Sequence, residues 1–167
     1  MTSLPSADAL LDMLVDQMRP QVTERTALVG IHTGGAWLAE RLHAALGISA
    51  PLGTIDVAFY RDDYGERALQ PQLRRSDIPF DMEGAQVILV DDVLYTGRTT
   101  RAALNELFDY GRPARVDLAV LVDRGERELP IAPRFCAHTL PEPIGGGRRL
   151  QLDQADDGSL SLRLIDV

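Results

Sequence analysis

The chain has 167 residues, 45% of them hydrophobic and 25% charged, which suits a globular protein with one core of ordinary size. With 17 basic against 25 acidic residues the net charge is −8, which argues against broad non-specific nucleic-acid affinity but still admits a local basic face. The single cysteine, Cys136, excludes an internal disulfide framework and a cysteine zinc cluster, and reads as a small core residue.

No run approaches the ~20 apolar residues of a membrane span. The N-terminus lacks the basic start and apolar core of a signal peptide, so cytoplasmic residence is the default expectation. Ser6 is a candidate N-cap for a helix whose face carries Leu10, Leu11, Leu14, Val15 and Met18 and which stops before Pro20. That face reads as core, with a subunit interface as the other option. Residues 27–31 are a short apolar strand, followed by His32, Thr33, Gly34 and Gly35 and then an apolar-periodic helix to about Leu46, stopped by Gly47. A Gly-Gly turn opening a helix offers backbone amides to an anion, though such turns are also common as plain structure. His32 has no ligand spacing with His43 or His138, so no histidine metal site is expected.

Residues 52–59 alternate as a strand with Ile55, Val57 and Phe59 on one face, and 60–79 are too polar to bury and long for a connection. Next, Val87, Ile88, Leu89 and Val90 form a continuous apolar run suited to a strand covered on both faces. Asp91 and Asp92 are placed at its carboxyl end, and Thr96, Gly97, Arg98 and Thr99 form a turn into a helix over 100–110.

This stretch carries the chemistry. Gly97 lets the backbone approach a bound group, and the helix N-terminus with the Thr96 and Thr99 hydroxyls suits a terminal phosphate. Two carboxylates beside a phosphate would repel it if phosphate were the whole ligand. They fit a sugar diol next to the phosphate, where they accept hydroxyl hydrogen bonds and favour positive charge on the ring. Together these describe a ribose 5-phosphate site. The plain alternative is a strand-to-helix turn with Asp and Thr as caps.

Beyond Gly111 and Pro113, residues 116–122 form another buried strand, with Asp123, Arg124 and Gly125 at its carboxyl end. Residues 135–140 make a candidate strand, 145–147 a glycine loop, and 150–153 with 160–165 a closing hairpin around Asp156, Asp157 and Gly158. Strands alternating with helices and joined by right-handed crossovers give an α/β fold. The expectation is a doubly wound, mostly parallel sheet flanked by helices, with a small C-terminal β hood or hairpin, in a single domain over 1–167. Strand ends near Ile31, Phe59, Val90 and Val122 would then face one crevice.

The run Asp-Asp-Val-Leu-Tyr-Thr-Gly-Arg-Thr at 91–99 resembles the phosphoribosyl-pyrophosphate (PRPP) signature of type I phosphoribosyltransferases. With Leu-Ala-Val-Leu-Val-Asp-Arg-Gly-Glu-Arg-Glu-Leu-Pro at 118–130 and Asp-Val-Ala-Phe-Tyr-Arg-Asp-Asp at 56–63, it is similar in particular to the PyrR family. These are pyr operon attenuation regulators that are also uracil phosphoribosyltransferases. The likeness runs from about residue 27 to 153.

The resemblance implies uracil plus PRPP giving UMP plus pyrophosphate. It assigns Thr96, Gly97, Arg98 and Thr99, with backbone of Leu94 and Tyr95, to the 5′-phosphate, and Asp91 and Asp92 to the ribose hydroxyls and the cationic ring. Thr33, Gly34 and Gly35, helped by Arg61, hold pyrophosphate. Val122, Asp123 and Arg124 form a hood over the base. Residues 60–79, opened by Tyr60, Arg61 and Asp62, would be a mobile flap. Asp123 or an unaided leaving proton are both open as the route for deprotonating uracil. PRPP implies Mg²⁺ held mostly by ligand oxygens and water, with no dedicated protein metal site. The likeness further implies dimers or higher homo-oligomers, and binding of pyr leader mRNA promoted by UMP or UTP. Glu126 after Asp-Arg-Gly, Gly34 in the first loop, only Arg148 and Arg149 near the 145–149 loop, and Asp8, Asp12 and Asp16 on the first helix depart from a basic RNA-binding face. The alternatives are a hypoxanthine-type purine phosphoribosyltransferase, which shares the Asp-Asp turn, and a PyrR-like enzyme without RNA binding.

Overall fold

The computed structural model describes residues 3–57 and 76–167. Helix α1 (Ala7–Met18) opens on Ser6, whose Oγ accepts a hydrogen bond from the Ala9 amide at 3.2 Å. Its stripe of Leu10, Leu11, Leu14 and Met18 is buried in the core, as the spacing predicts. A 3₁₀ turn at Pro20 leads to β1 (Thr26–Ile31), every residue of which is buried. Helix α2 (Gly34–Leu46) follows and ends at Gly47, which takes a left-handed φ of 63°.

The next strand is shorter than predicted. β2 is Gly53–Ile55, although Ile55 and Val57 are buried on the expected face. Phe59, Tyr60, Arg61 and Asp62 lie outside the described residues, as does the predicted flap up to residue 75. Where the chain is described again, the Asp77 backbone exchanges hydrogen bonds of 2.9 and 2.8 Å with Thr54. This anchors residue 77 to β2.

β3 (Gln86–Leu94) runs past the apolar stretch and carries Asp91 and Asp92 inside the strand instead of beyond it. The reason is the ladder to β4 (Arg115–Asp123), which pairs Asp91 with Val120 and Leu94 with Asp123. Helix α3 (Arg98–Phe108) begins two residues earlier than its apolar spacing predicts. β5 is Phe135–Thr139, and β6 (Arg148–Gln154) pairs antiparallel with β7 (Leu160–Asp166).

The five-stranded sheet is parallel throughout, in the order β2-β1-β3-β4-β5. One face packs on α1 and α2 through Leu14, Leu28, Leu38, Ile88 and Leu121, and the hairpin closes this face with Leu150, Leu152 and Leu160. The other face packs on α3 through Val29, Leu89, Ala103, Leu107 and Val120. Helices on both faces make this the expected doubly wound sheet, and the carboxyl ends of its strands share one edge. Cys136 corrects a prediction: on the edge strand β5 it is half-buried, while Phe135 and Ala137 alternate into the core. Among the described residues no helix is long and apolar enough to cross a membrane.

Candidate active site

Between Leu94 and Arg98 the chain turns from strand to helix through Gly97, whose φ of 95° is a left-handed conformation that L side chains rarely adopt. An added Cβ there would also lie 3.0 Å from Ile131 Cγ1. The buried Thr96 organises the turn from within: its Oγ1 accepts from the Arg98 amide at 3.2 Å. Its carbonyl accepts from the Glu128 and Leu129 amides at 2.9 and 3.1 Å. The Arg98 amide is thus taken up within the turn, and the amides that follow it at the start of α3, with the half-buried Thr99 at hand, lie at the sheet edge.

Asp91 and Asp92 are 3% and 9% exposed, burial that ionised carboxylates tolerate only with hydrogen-bond donors. Asp91 Oδ1 accepts from the Asp92 amide at 2.9 Å, and Asp92 Oδ1 from the Val93 amide at 2.8 Å. The pair is split across the strand. Asp92 faces α2, because a Cβ on Gly34 would sit 2.4 Å from its Oδ2. Alternation then turns Asp91 toward the α3 side.

The loop before α2 holds Thr33 as N-cap and Gly34 and Gly35 as the first helical residues, and the His32–Thr33 peptide is cis. A Cβ on Gly35 would fall 2.3 Å from the Val90 carbonyl oxygen. The glycine pair lets this helix start press directly onto β3. Its first-turn amides thus lie beside the acid that the other turn supplies.

At the end of β4, Val122, Asp123 and Arg124 are buried. The Arg124 guanidinium stacks over the Tyr95 ring at 3.6 Å from its centroid and pairs with Glu126 at 2.7 Å. Burial pushes the Asp123 carboxyl up, but the Arg127 hydrogen bonds, the Gly125 amide and the Arg127 charge outweigh it and hold the group below its ordinary 3.8. Arg127 meets Asp123 in a two-pronged pair, Nη1 to Oδ1 at 2.9 Å and Nη2 to Oδ2 at 2.7 Å. A carboxylate held so is a weak proton acceptor. Arg98, exposed, pairs with Glu128 at 2.9 Å across to the hood.

The structure thus brings Thr33, Gly34, Gly35, Asp91, Asp92, the 94–99 turn and residues 122–124 to one edge, while Arg61 lies outside the described residues. Arg127, Glu126 and Glu128 join this cluster as well; they stand in the 118–130 run, where no chemistry beyond alternating charge sets them apart from a solvated loop. No group of three or more metal-ligating side chains occurs among the described residues. Asp91 and Asp92 are nonetheless hard oxygen donors at the carboxyl edge of the sheet, a donor set that fits Mg²⁺ carried mainly by ligand oxygens and water.

A family model described as a phosphoribosyl transferase domain matches residues 7–142. A bifunctional protein PyrR from Pseudomonas paraeruginosa is 51% identical over 154 residues, covering 90% of this chain and 89% of the relative. One from Pseudomonas fluorescens is 49% identical over 164 residues, covering 92% and 98%. Among solved structures, a purine phosphoribosyltransferase from Pyrococcus horikoshii matches with a TM-score of 0.63 at 26% identity, covering 82% of this chain and 84% of that one. A hypoxanthine phosphoribosyltransferase from Staphylococcus aureus matches with a TM-score of 0.66 at 17% identity, covering 86% and 81%, a likeness of fold alone.

Proposed function

This chain belongs to the phosphoribosyl transferase domain family and, within it, to the PyrR proteins, and we propose that it transfers the phosphoribosyl group of PRPP to uracil. The convergence of buried paired acids, a phosphate-type turn and a glycine loop on one sheet edge supports this reading. N1 of uracil bonds to the anomeric carbon, the bond to pyrophosphate breaks, and the N1 proton leaves. Positioning and electrostatics carry such a reaction, because its transition state is a sugar cation that needs little covalent help.

The 94–99 turn is assigned to the 5′-phosphate through the α3 amides and the Thr96 and Thr99 hydroxyls. Asp91 and Asp92 accept from the ribose hydroxyls and stabilise charge growing on the ring. Thr33, Gly34 and Gly35 receive the departing pyrophosphate on backbone amides, with Arg61 assigned beside them. Residues 122–124 hold the base, their backbone groups reading its edge. Asp123, paired with Arg127, serves to shape the hood, and the unaided leaving proton is favoured over its use as a base. Bound with PRPP, Mg²⁺ would neutralise pyrophosphate charge, with Asp91 and Asp92 the residues placed to meet its water shell.

Base choice is the sharpest test. With PRPP and Mg²⁺, uracil should outcompete hypoxanthine and guanine by about 100-fold or more in kcat/KM, as a site built around one base edge allows. Faster IMP or GMP formation would move the chain to the purine class of its structural neighbours.

The bifunctional relatives favour a second, compatible role: pyr operon attenuation through mRNA binding promoted by UMP or UTP in the same pocket. Among hood cations, Arg124 pairs with Glu126 and Arg127 with Asp123, so an RNA face would have to draw on other arginines, Arg148 and Arg149 included. A mobility-shift titration of the leader transcript at low salt should show a complex strengthened by UMP. Its absence would leave a PyrR-like enzyme without RNA binding. Assembly as a homodimer or larger homo-oligomer in the cytoplasm accompanies this reading, and sedimentation at micromolar concentration would read the oligomer directly.

A further inference from the structure

Arg127 bonds three separate pieces of chain. Its Nη1 and Nη2 bridge the Asp123 carboxylate at the end of β4, and Nη1 also donates to the Tyr95 carbonyl at 2.9 Å. Its Nε donates to the Ile131 carbonyl at 2.8 Å. Tyr95 opens the turn that the reading above gives to the 5′-phosphate, and Asp123 belongs to the hood given to the base. Ile131, the third anchor, is the residue packed against Gly97. One planar guanidinium therefore spans both halves of the pocket and the loop that closes on the turn. Its rigid fork suits this: a flexible ammonium could satisfy one or two of these acceptors but not all of them in plane.

We propose that Arg127 is a positioning residue that locks the base hood to the sugar-phosphate turn, so that filling the turn organises the hood for the incoming base. This rests on the phosphoribosyl reading of the site. Arg127 itself is assigned no contact with substrate. Its effect passes through the Asp123 carboxylate, which also accepts from the Gly125 amide at 2.9 Å. Other links join the two segments: the Glu128 and Leu129 amides on the Thr96 carbonyl and the Arg124 amide on the Leu94 carbonyl, the Arg124 guanidinium over the Tyr95 ring and the exposed Arg98–Glu128 pair. None of these engages the Asp123 carboxylate. Arg127 is the side chain that ties the Asp123 carboxylate to the turn.

The test uses ribose 5-phosphate, which fills the turn without a base, and backbone amide NMR of the whole chain. In the wild type, ribose 5-phosphate should shift the Gly97 and Thr99 amides and, through Arg127, the Gly125 amide. In Arg127→Gln the turn amides should still shift while Gly125 stays put. Steady-state rates give the second readout: Arg127→Gln should raise the uracil KM about tenfold, the scale expected of a misplaced pocket wall, with the PRPP KM within threefold. Arg127→Lys should fall between, and Arg127→Gln/Asp123→Asn should be no worse than the poorer single variant.

A side chain that only stabilised the fold would lower the active fraction and leave both KM values unchanged, which overturns the proposal. So would an unresponsive Gly125 in the wild type, or one that shifts equally in Arg127→Gln. Silence at Gly97 and Thr99 in the wild type would instead overturn the sugar-phosphate reading, and this inference with it. If Arg127→Gln does not fold, the Arg127→Lys comparison and the wild-type Gly125 response still decide.

Discussion

Two strand-to-helix turns meet at the site and do different work. The turn after β3 brings side chains: two carboxylates inside the strand, two threonine hydroxyls, and one glycine in a left-handed conformation. The turn after β1 brings only backbone and room. Its glycines are held small by what faces them, Gly34 by the Asp92 carboxylate and Gly35 by the Val90 carbonyl. In the proposed reading one turn carries functional side chains and the other backbone amides, and Gly34 lies directly against the Asp92 carboxylate. If so, substitutions in the first should alter chemistry or a single affinity, and substitutions in the second should alter geometry.

Asp91→Asn probes the first turn hardest. Removing one preorganised charge from beside a developing cation should lower kcat by about 100-fold or more while the uracil KM stays within about threefold. UMP formation rates check this, and unchanged turnover would remove Asp91 from the reaction. Gly35→Ala drives a methyl into backbone that cannot step aside, so urea unfolding should show a loss of about 1–3 kcal/mol. Gly34→Ala presses instead on a carboxylate that can rotate. It should keep most of the stability yet lose about tenfold in kcat as Asp92 is displaced. Equal stability losses in the two alanine variants would break the contrast between fold and chemistry within that loop. Thr99→Val should raise the PRPP KM about tenfold, the scale of one hydrogen bond to a charged group, with kcat little changed.

The smallest effect concerns acidity. Asp123 has a folded pKa below the unfolded value of about 3.8, so its paired state contributes stability that is fully present above that value. The contribution fades as pH falls from there through the lowered folded value. Urea midpoints of wild type and Asp123→Asn should therefore converge on acidification below pH 3.8 and run parallel above it. Convergence on raising the pH would show the opposite sign.

Much of this architecture is legible in the sequence, because buried parallel strands read as apolar runs and helices as periodic ones. Residues 87–90, 27–31 and the α1 stripe needed no tertiary knowledge. The reach of β3 through Asp91 and Asp92 did: Asp disfavours strands, and only the ladder to β4 keeps the backbone extended there. The threonine turn suggests a chemistry through its side chains, whereas the Gly-Gly turn suggests none, since its surroundings emerge only on folding. Arg127 was illegible for another reason. Its partners at 95, 123 and 131 are adjacent only once the hood folds over the turn, and no local periodicity encodes that.

The all-parallel sheet also bears on how the enzyme comes into being. Gly30 must find Val90 and Asp91 must find Val120 before either acid is in place, pairings that close long stretches of chain. Such non-local closure is slow compared with helix formation. On dilution from denaturant, ellipticity should therefore recover ahead of turnover, leaving a window in which the chain is helical and catalytically silent.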